Sequence, residues 1–228
     1  MDFLKVDATS KETVEKSFNV IAEKLFNNYQ LQVNNNYYRL IDIEFYYLTD
    51  DKENEIYNIH KDIYTHKHLE QRHSGKWYFH DSGIDITIGN ESNHYGGILI
   101  RGLSKIYIEN SDNNLINHQI HGPVKVKSEI CEKFNGAFDN SPNFFRLVEI
   151  TNGSIDKPLY VIKSQRINLN IQKDIGEMKY WDSKYRYVIL LNQYQFKYAN
   201  KTQIAKDLQE QHKLTNEQVN KLLGSKFL

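Results

Sequence analysis

The chain has 228 residues, of which 39% are hydrophobic and 25% are charged, a balance typical of a globular protein rather than a disordered one. This length suits one domain with a substantial core and argues against two large domains. The 29 Lys and Arg residues balance the 29 Asp and Glu residues, so no overall positive charge indicates nucleic-acid binding.

The first part of the chain predicts a helix followed by a strand. Apolar residues recur at helical spacing over residues 10–28, which indicates an amphipathic helix. Residues 37–48 alternate and are rich in aromatic and β-branched side chains, as in a strand. The alternation places Asp42, Glu44 and Tyr46 on one strand face. Two acids beside an aromatic residue need a functional or ion-pairing explanation.

The middle of the chain predicts an antiparallel meander. A polar loop over residues 50–54 and an irregular segment over 55–72, rich in His and Tyr, precede it. Its short strands are predicted at 76–80, 84–88 and 97–103, and later strands are predicted at 159–162, 167–171 and 186–191.

Helical patterns occur again later in the sequence. One follows Gly122 and Pro123 over residues 124–134, and two more lie between residues 202 and 222, with Thr215 as the cap of the second. We expect a single α+β domain, with a curved, mostly antiparallel sheet flanked by helices. It would span residues 1–200, and a C-terminal helical extension, 201–228, would pack on it.

Cysteine usage and hydropathy bear on location. Cys131 is the only cysteine, so it has no intramolecular disulfide partner and no metal-site spacing, and we expect it to be a small buried residue. No leader-like run opens the sequence, and no stretch approaches the roughly 20 apolar residues that cross a bilayer. We therefore expect a cytoplasmic protein without a membrane partner.

A series of short motifs occurs in order between residues 38 and 190. They read D-I-E-F-Y-Y-L (42–48), D-I-Y-T-H (62–66), G-K-W-Y-F (75–79), G-I-L-I-R-G-L (97–103), G-P-V-K (122–125), Q-R-I-N (165–168) and Y-R-Y (185–187). In this order they resemble the alkyladenine (3-methyladenine) DNA glycosylase family. That family has an E-x-E-A-Y-like strand, then D-x-x-x-H, G-x-x-Y-V, L-L-R-A and a G-P-x-K helix start. The resemblance implies the same fold.

The resemblance also implies roles for individual residues. Glu44 matches the general base that activates water, while Tyr46 and His66 match the residues on either side of an extruded base. Extrusion is needed because the N-glycosidic bond is inaccessible inside a stacked duplex. Asp42 and Ser82 would complete the base pocket. The residues expected to contact DNA are Arg101, Ile84, Lys125, Lys127 and Arg166.

Two departures from the family pattern affect specificity. The family carries an intercalating Tyr or His in a Y-G-x-[YH] hairpin, where this chain reads Ser82-Gly83-Ile84-Asp85. Ile84 is then the candidate wedge, and Asp85 would face phosphates at the hairpin tip. The family's pocket Asn, which excludes the amino group of guanine, aligns with Gly89 or Asn90. The sequence therefore does not determine which base is the substrate.

The sequence supports three hypotheses. The first is a monofunctional glycosylase that acts on a damaged or modified base in double-stranded DNA, with no cofactor and no metal. The second is a nucleic-acid or partner-binding module on the same fold without catalysis. A purely structural interpretation of Glu44 makes it a strand carboxylate at a solvent edge or the partner of Arg39. The third is an N-glycosidase acting on RNA or free nucleosides. His66 and His68 lack the partners of a zinc site.

Overall fold

A computed structural model gives the structure of the chain. It describes residues 2–50, 59–91, 93–106, 118–150, 158–174, 179–191 and 197–228. The helices of this part are α1 (Lys11–Asn28), α2 (Pro123–Glu132), α3 (Lys201–His212) and α4 (Asn216–Leu223). The strands are β1 (Tyr29–Val33), β2 (Asn36–Thr49), β3 (Trp77–His80), β4 (Gly83–Thr87), β5 (His94–Ile106), β6 (Gln119–His121), β7 (Phe145–Glu149), β8 (Tyr160–Ser164) and β9 (Arg186–Leu190).

The sheet is antiparallel at every described pairing and curls into a half-barrel around β2. Its main path runs β3-β4-β5-β2-β1-β7, while β6 pairs with β5, and β9 pairs with both β2 and β8. The predicted single α+β domain with a curved antiparallel sheet is confirmed. The long pairing of β2 with β5 contains register shifts between Leu40 and Asp42 and between Asp42 and Ile43. Such a bulge bends the strand and changes where its side chains point.

Helix α1 covers one face of the central strand. Ser10 caps it through a capping box with Thr13, as local sequence chemistry favours. The ring of Phe18 stacks on Phe45 of β2 at 4.5 Å, and both are fully buried. Since neighbouring strand residues point to opposite faces, Glu44 and Tyr46 point away from α1.

Of the C-terminal helices, α3 packs beside β8 and α4 packs against α3. Ile204 and Leu208 of α3 are fully buried, and Val219 of α4 joins the same core. Thr215 caps α4 through a capping box with Gln218, which confirms the predicted cap.

Some sequence predictions are wrong or lie outside the described residues. Residues 167–171 are not a strand: the chain is irregular there and enters a short 3-10 helix at Ile171–Lys173. Cys131 is exposed rather than buried, because α2 turns Val126 and Ile130 toward the core instead. The predicted loop over 50–54 lies outside the described residues after residue 50. Within the described chain, no helix has the length and hydropathy needed to cross a bilayer.

Candidate functional site

A cavity of about 790 Å³ opens on the sheet face opposite α1. Tyr46 of β2, Leu99 of β5 and Asp85 of β4 form its floor, because they occupy nearby positions on three adjacent strands. Its walls come from residues 63–66, from the turn between β3 and β4, and from residues 167–170. Small-molecule sites typically enclose roughly 300–1,000 Å³, so the cavity is large enough for such a ligand.

Glu44 is fully buried immediately beside this cavity. Its Oε2 accepts hydrogen bonds from the Tyr46 hydroxyl at 2.8 Å and from Arg101 Nη1 at 3.3 Å. Its Oε1 accepts one from the backbone N–H of Ile167 at 3.1 Å. All three partners line the cavity. A buried carboxylate is costly unless it is paired and hydrogen-bonded, and these contacts hold Glu44 in a defined position.

Tyr46 connects Glu44 to a second buried ion pair. Burial, together with the adjacent Glu44, raises the pKa of Tyr46 well above its ordinary value, so the phenol stays protonated and donates a hydrogen bond to the carboxylate. The guanidinium of Arg166 lies 4.5 Å from the centre of the Tyr46 ring. Arg166 in turn makes a two-pronged pair with Asp62, at 2.5 and 3.1 Å. The Asp62–Arg166 pair therefore packs against the Tyr46 ring and helps to fix its position.

A second polar cluster occupies the β4 side of the cavity. His80 Nε2 lies 3.1 Å from Asp85 Oδ1, and Gln71 Nε2 donates to Asp85 Oδ2 at 3.3 Å. The His66 ring meets the His80 ring edge to face at 4.9 Å. Burial lowers the pKa of His66 and the neighbouring His80 lowers it further, so His66 is neutral at physiological pH. All four side chains line the cavity.

The structure brings several of the predicted site residues together. Tyr46, His66, Ser82 and Arg101 line the cavity, and Glu44 contacts two of them. Arg101 is largely buried and bonded to Glu44, so it belongs to the cavity rather than to an exposed phosphate-binding surface. Glu44 pairs with Arg101 and not with Arg39.

Asp42 does not belong to the cavity, which corrects the prediction that it shares a functional face with Glu44. The bulge in β2 lies at Asp42, and each of its carboxylate oxygens accepts a hydrogen bond from Arg186, at 2.9 and 2.7 Å. The pair is buried, so Asp42 stabilises the junction of β2 and β9 instead of contacting a ligand.

The other four residues expected to contact DNA differ in their exposure to solvent: two are buried, one is partly buried and one is exposed. The side chain of Arg166 is fully buried against Asp62, and Ile84 is fully buried in the core, so neither presents a surface to DNA in this conformation. Lys127 donates to the carbonyls of residues 80 and 81 at 2.7 and 3.0 Å and holds the hairpin against α2. Lys125 is exposed on α2, next to the cavity wall.

The prediction missed the Asp85 cluster and misplaced Asp85 itself. Asp85 is not at the hairpin tip but within β4, and it is 3% exposed. The alternation of Ile84, Ile86 and Ile88 would have placed it on the opposite face of a strand. Gln71 and His80 carried no such signal, since only the tertiary contacts bring them to Asp85.

The described residues contain no cluster of three or more His, Cys, Asp or Glu side chains arranged to hold a metal ion. No protein-family model matches the sequence, and no curated protein is significantly similar to it.

Proposed function

We propose that this protein hydrolyses the N-glycosidic bond of a modified base extruded from DNA, on a fold of the alkyladenine DNA glycosylase type. The observation that carries the proposal is a fully buried carboxylate, Glu44, held directly beside a large pocket by three donors that line it. The order of sequence motifs around Glu44 supports the same assignment.

Glu44 has hydrogen-bonding capacity left for a water molecule. A carboxylate oxygen has two lone-pair sites, and among the described contacts Oε1 accepts only the Ile167 N–H. In the proposed reaction this oxygen orients a water and removes its proton as the water oxygen bonds to the anomeric carbon. The bond to the base breaks ahead of this attack, and its electron pair leaves with the base. The negative charge of Glu44 also stabilises the positive charge that develops on the sugar.

The remaining cavity walls suit a flat aromatic ligand. Tyr46, Tyr64 and His66 present ring systems to the cavity, and a neutral imidazole stacks on a base without a cost in charge desolvation. Two exposed apolar residues, Ile63 and Val124, lie at the cavity and are 43% and 54% exposed. Lys173 adds a cationic group to the lining, as a nucleotide phosphate requires.

The burial of Ile84 favours a second candidate, an N-glycosidase acting on single-stranded nucleic acid or free nucleosides. A glycosylase acting on a duplex fills the gap left by the extruded base with a side chain. Ile84 is buried, and the turn residues beside it, Asp81 and Ser82, are small and polar. Substrates that need no gap filling therefore belong in the first test.

The decisive experiment measures base release from a panel of substrates. Duplex and single-stranded oligonucleotides with alkylated, deaminated and bulky bases, together with the free nucleosides, are incubated with wild type and Glu44→Gln. General-base catalysis contributes about 10²- to 10⁴-fold, so release by the variant falls by at least about 100-fold. Glu23→Gln removes an exposed carboxylate on α1 and keeps full activity.

Two results would contradict the proposal. Release that survives Glu44→Gln removes this residue from the chemistry. If the wild type releases no base while its DNA affinity is unchanged by Glu44→Gln, the protein is a binding module. Circular dichroism spectra of both variants establish that the comparison is made between folded proteins.

A further inference from the structure

Glu44 lies beside the cavity, whereas another buried carboxylate, Asp85, forms part of the cavity floor and is not used in the reaction above. Leu99 of β5 pairs directly with Glu44 on one side and with Asp85 on the other. Directly paired residues of an antiparallel sheet point to the same face, so both acids face the cavity side of the sheet. Two strand spacings, about 10 Å, separate their backbones. A ligand with its sugar at Glu44 therefore directs its far edge toward Asp85.

The environment of Asp85 is rich in hydrogen-bond acceptors. Its carboxylate oxygens each accept one contact, from His80 Nε2 and Gln71 Nε2, and an ionised carboxylate has about four acceptor sites. Gln71 is 1% exposed and lines the cavity, and its buried Oε1 has no hydrogen-bond partner among the described residues. A buried acceptor without a partner carries a desolvation cost, which a ligand donor would relieve.

Gly97 leaves the space in which Asp85 and Gln71 contact each other. Gly97 pairs with Thr87 of β4 and Tyr46 of β2, directly beside Asp85 and Gln71. A β-carbon at Gly97 would collide with Asp85 Oδ2 and would lie 2.9 Å from Gln71 Nε2. The absence of a side chain therefore leaves room for Asp85 and Gln71 to meet at the cavity floor.

We propose that Asp85 and Gln71 read the edge of the base and select guanine-type bases through their 2-amino group. This inference rests on the proposed function. Extrusion exposes the Watson–Crick edge of a base. In guanine that edge carries two adjacent parallel donors, N1–H and the 2-amino group, which match a carboxylate as a guanidinium does. Gln71 Oε1 is then available for the second proton of the 2-amino group.

Other bases lack this pair of donors. Hypoxanthine has N1–H but no amino group beside it. Adenine and cytosine present one amino group next to a ring nitrogen that accepts, and uracil has one N–H between two carbonyls. An acceptor placed against Asp85 is repelled and leaves buried acceptors unpaired. A well-formed bidentate contact to a base discriminates by about 10- to 100-fold in affinity.

The test compares two free bases that differ only in this amino group, 7-methylguanine and 7-methylhypoxanthine. Their affinities for the full chain are measured by titration calorimetry, which requires no catalysis. We expect the wild type to bind 7-methylguanine about 10- to 100-fold more tightly. Asp85→Asn places an N–H donor against the base donors and reduces this preference to about threefold or less. Glu70→Gln, a charge change at the exposed neighbour of Gln71, preserves it.

The outcomes separate this inference from the proposed function. Equal affinity for the two bases, no measurable binding of 7-methylguanine, or a preference that survives Asp85→Asn would overturn the assignment of Asp85. The wild-type comparison is informative even if a variant fails to fold. A clear preference for 7-methylguanine without base release from any substrate would support base reading while refuting hydrolysis. Glu44-dependent base release without a preference for 7-methylguanine would support hydrolysis and refute base reading by Asp85.

Discussion

The ion pair between Asp62 and Arg166 offers a quantitative test of how the cavity wall is supported. Both side chains are fully buried. Arg166 also donates to the carbonyls of Phe45 and Tyr180, each at 3.1 Å, so it bridges β2 to the segment before β9. Although burial opposes its charged form, Asp62 raises the pKa of Arg166, which remains a cation.

Replacing Asp62 with Asn leaves that cation without its counter-charge. Asn keeps one acceptor oxygen but turns an amide donor toward the guanidinium, so at least one of the two contacts becomes repulsive. Breaking a buried pair on one side typically costs about 3–5 kcal/mol. Since domains are stable by only about 5–15 kcal/mol, we expect Asp62→Asn to lower the free energy of unfolding by a large fraction of the total.

Urea unfolding followed by tyrosine and tryptophan fluorescence measures this loss. The matched control is Asp50→Asn, which removes the negative charge 3.0 Å from Lys67 in a pair that is partly exposed to solvent. Exposed pairs contribute about 0–1 kcal/mol because solvent screens them. If Asp62→Asn costs no more than this control, the buried pair does not support the site and the reasoning above is refuted.

Two further predictions concern pH and the cavity floor. Burial lowers the pKa of His60, so the unfolded chain takes up a proton near pH 6.5 before the folded one does, and stability falls as the pH drops below that value. For one such histidine the loss in free energy of unfolding reaches about 1.4 kcal/mol per pH unit. Urea titrations from pH 7 to 5 should show that the free energy of unfolding of His60→Gln depends less steeply on pH than that of the wild type. An unchanged pH dependence would contradict this assignment. Gly97→Ala should displace Asp85 and cost about 1–3 kcal/mol of stability by overpacking, whereas Gly136→Ala, where a β-carbon meets nothing within 4 Å, should be nearly neutral. Equal unfolding midpoints for the two alanine variants would show that the floor is not tightly packed.

Much of the fold could be predicted because its signals are local. Apolar spacing predicts α1, the alternation of aromatic and β-branched residues predicts β2, and Thr215 predicts the N-cap of α4. These signals depend on side chains within a few residues of one another, where helix and strand periodicity act directly. The same short range placed Glu44 and Tyr46 on one face, as the structure has them.

Tertiary structure decided which polar residues are functional candidates and which stabilise the fold. Asp42 and Glu44 are equivalent in the strand pattern, yet a bulge and the distant Arg186 commit Asp42 to an ion pair. Arg166 resembles a surface cation in the sequence but is buried by Asp62, 104 positions away.

The opposition of Asp85 to Glu44 across Leu99 likewise exists only through strand register. Register and burial are set by the pairing of segments far apart in the chain, and a one-residue shift moves every side chain of a strand to the other face. The sequence by itself therefore determined the helices, the central strand and the candidate base Glu44. The second acid of the cavity and the loss of Asp42 and Arg166 as ligand contacts follow from long-range pairing alone.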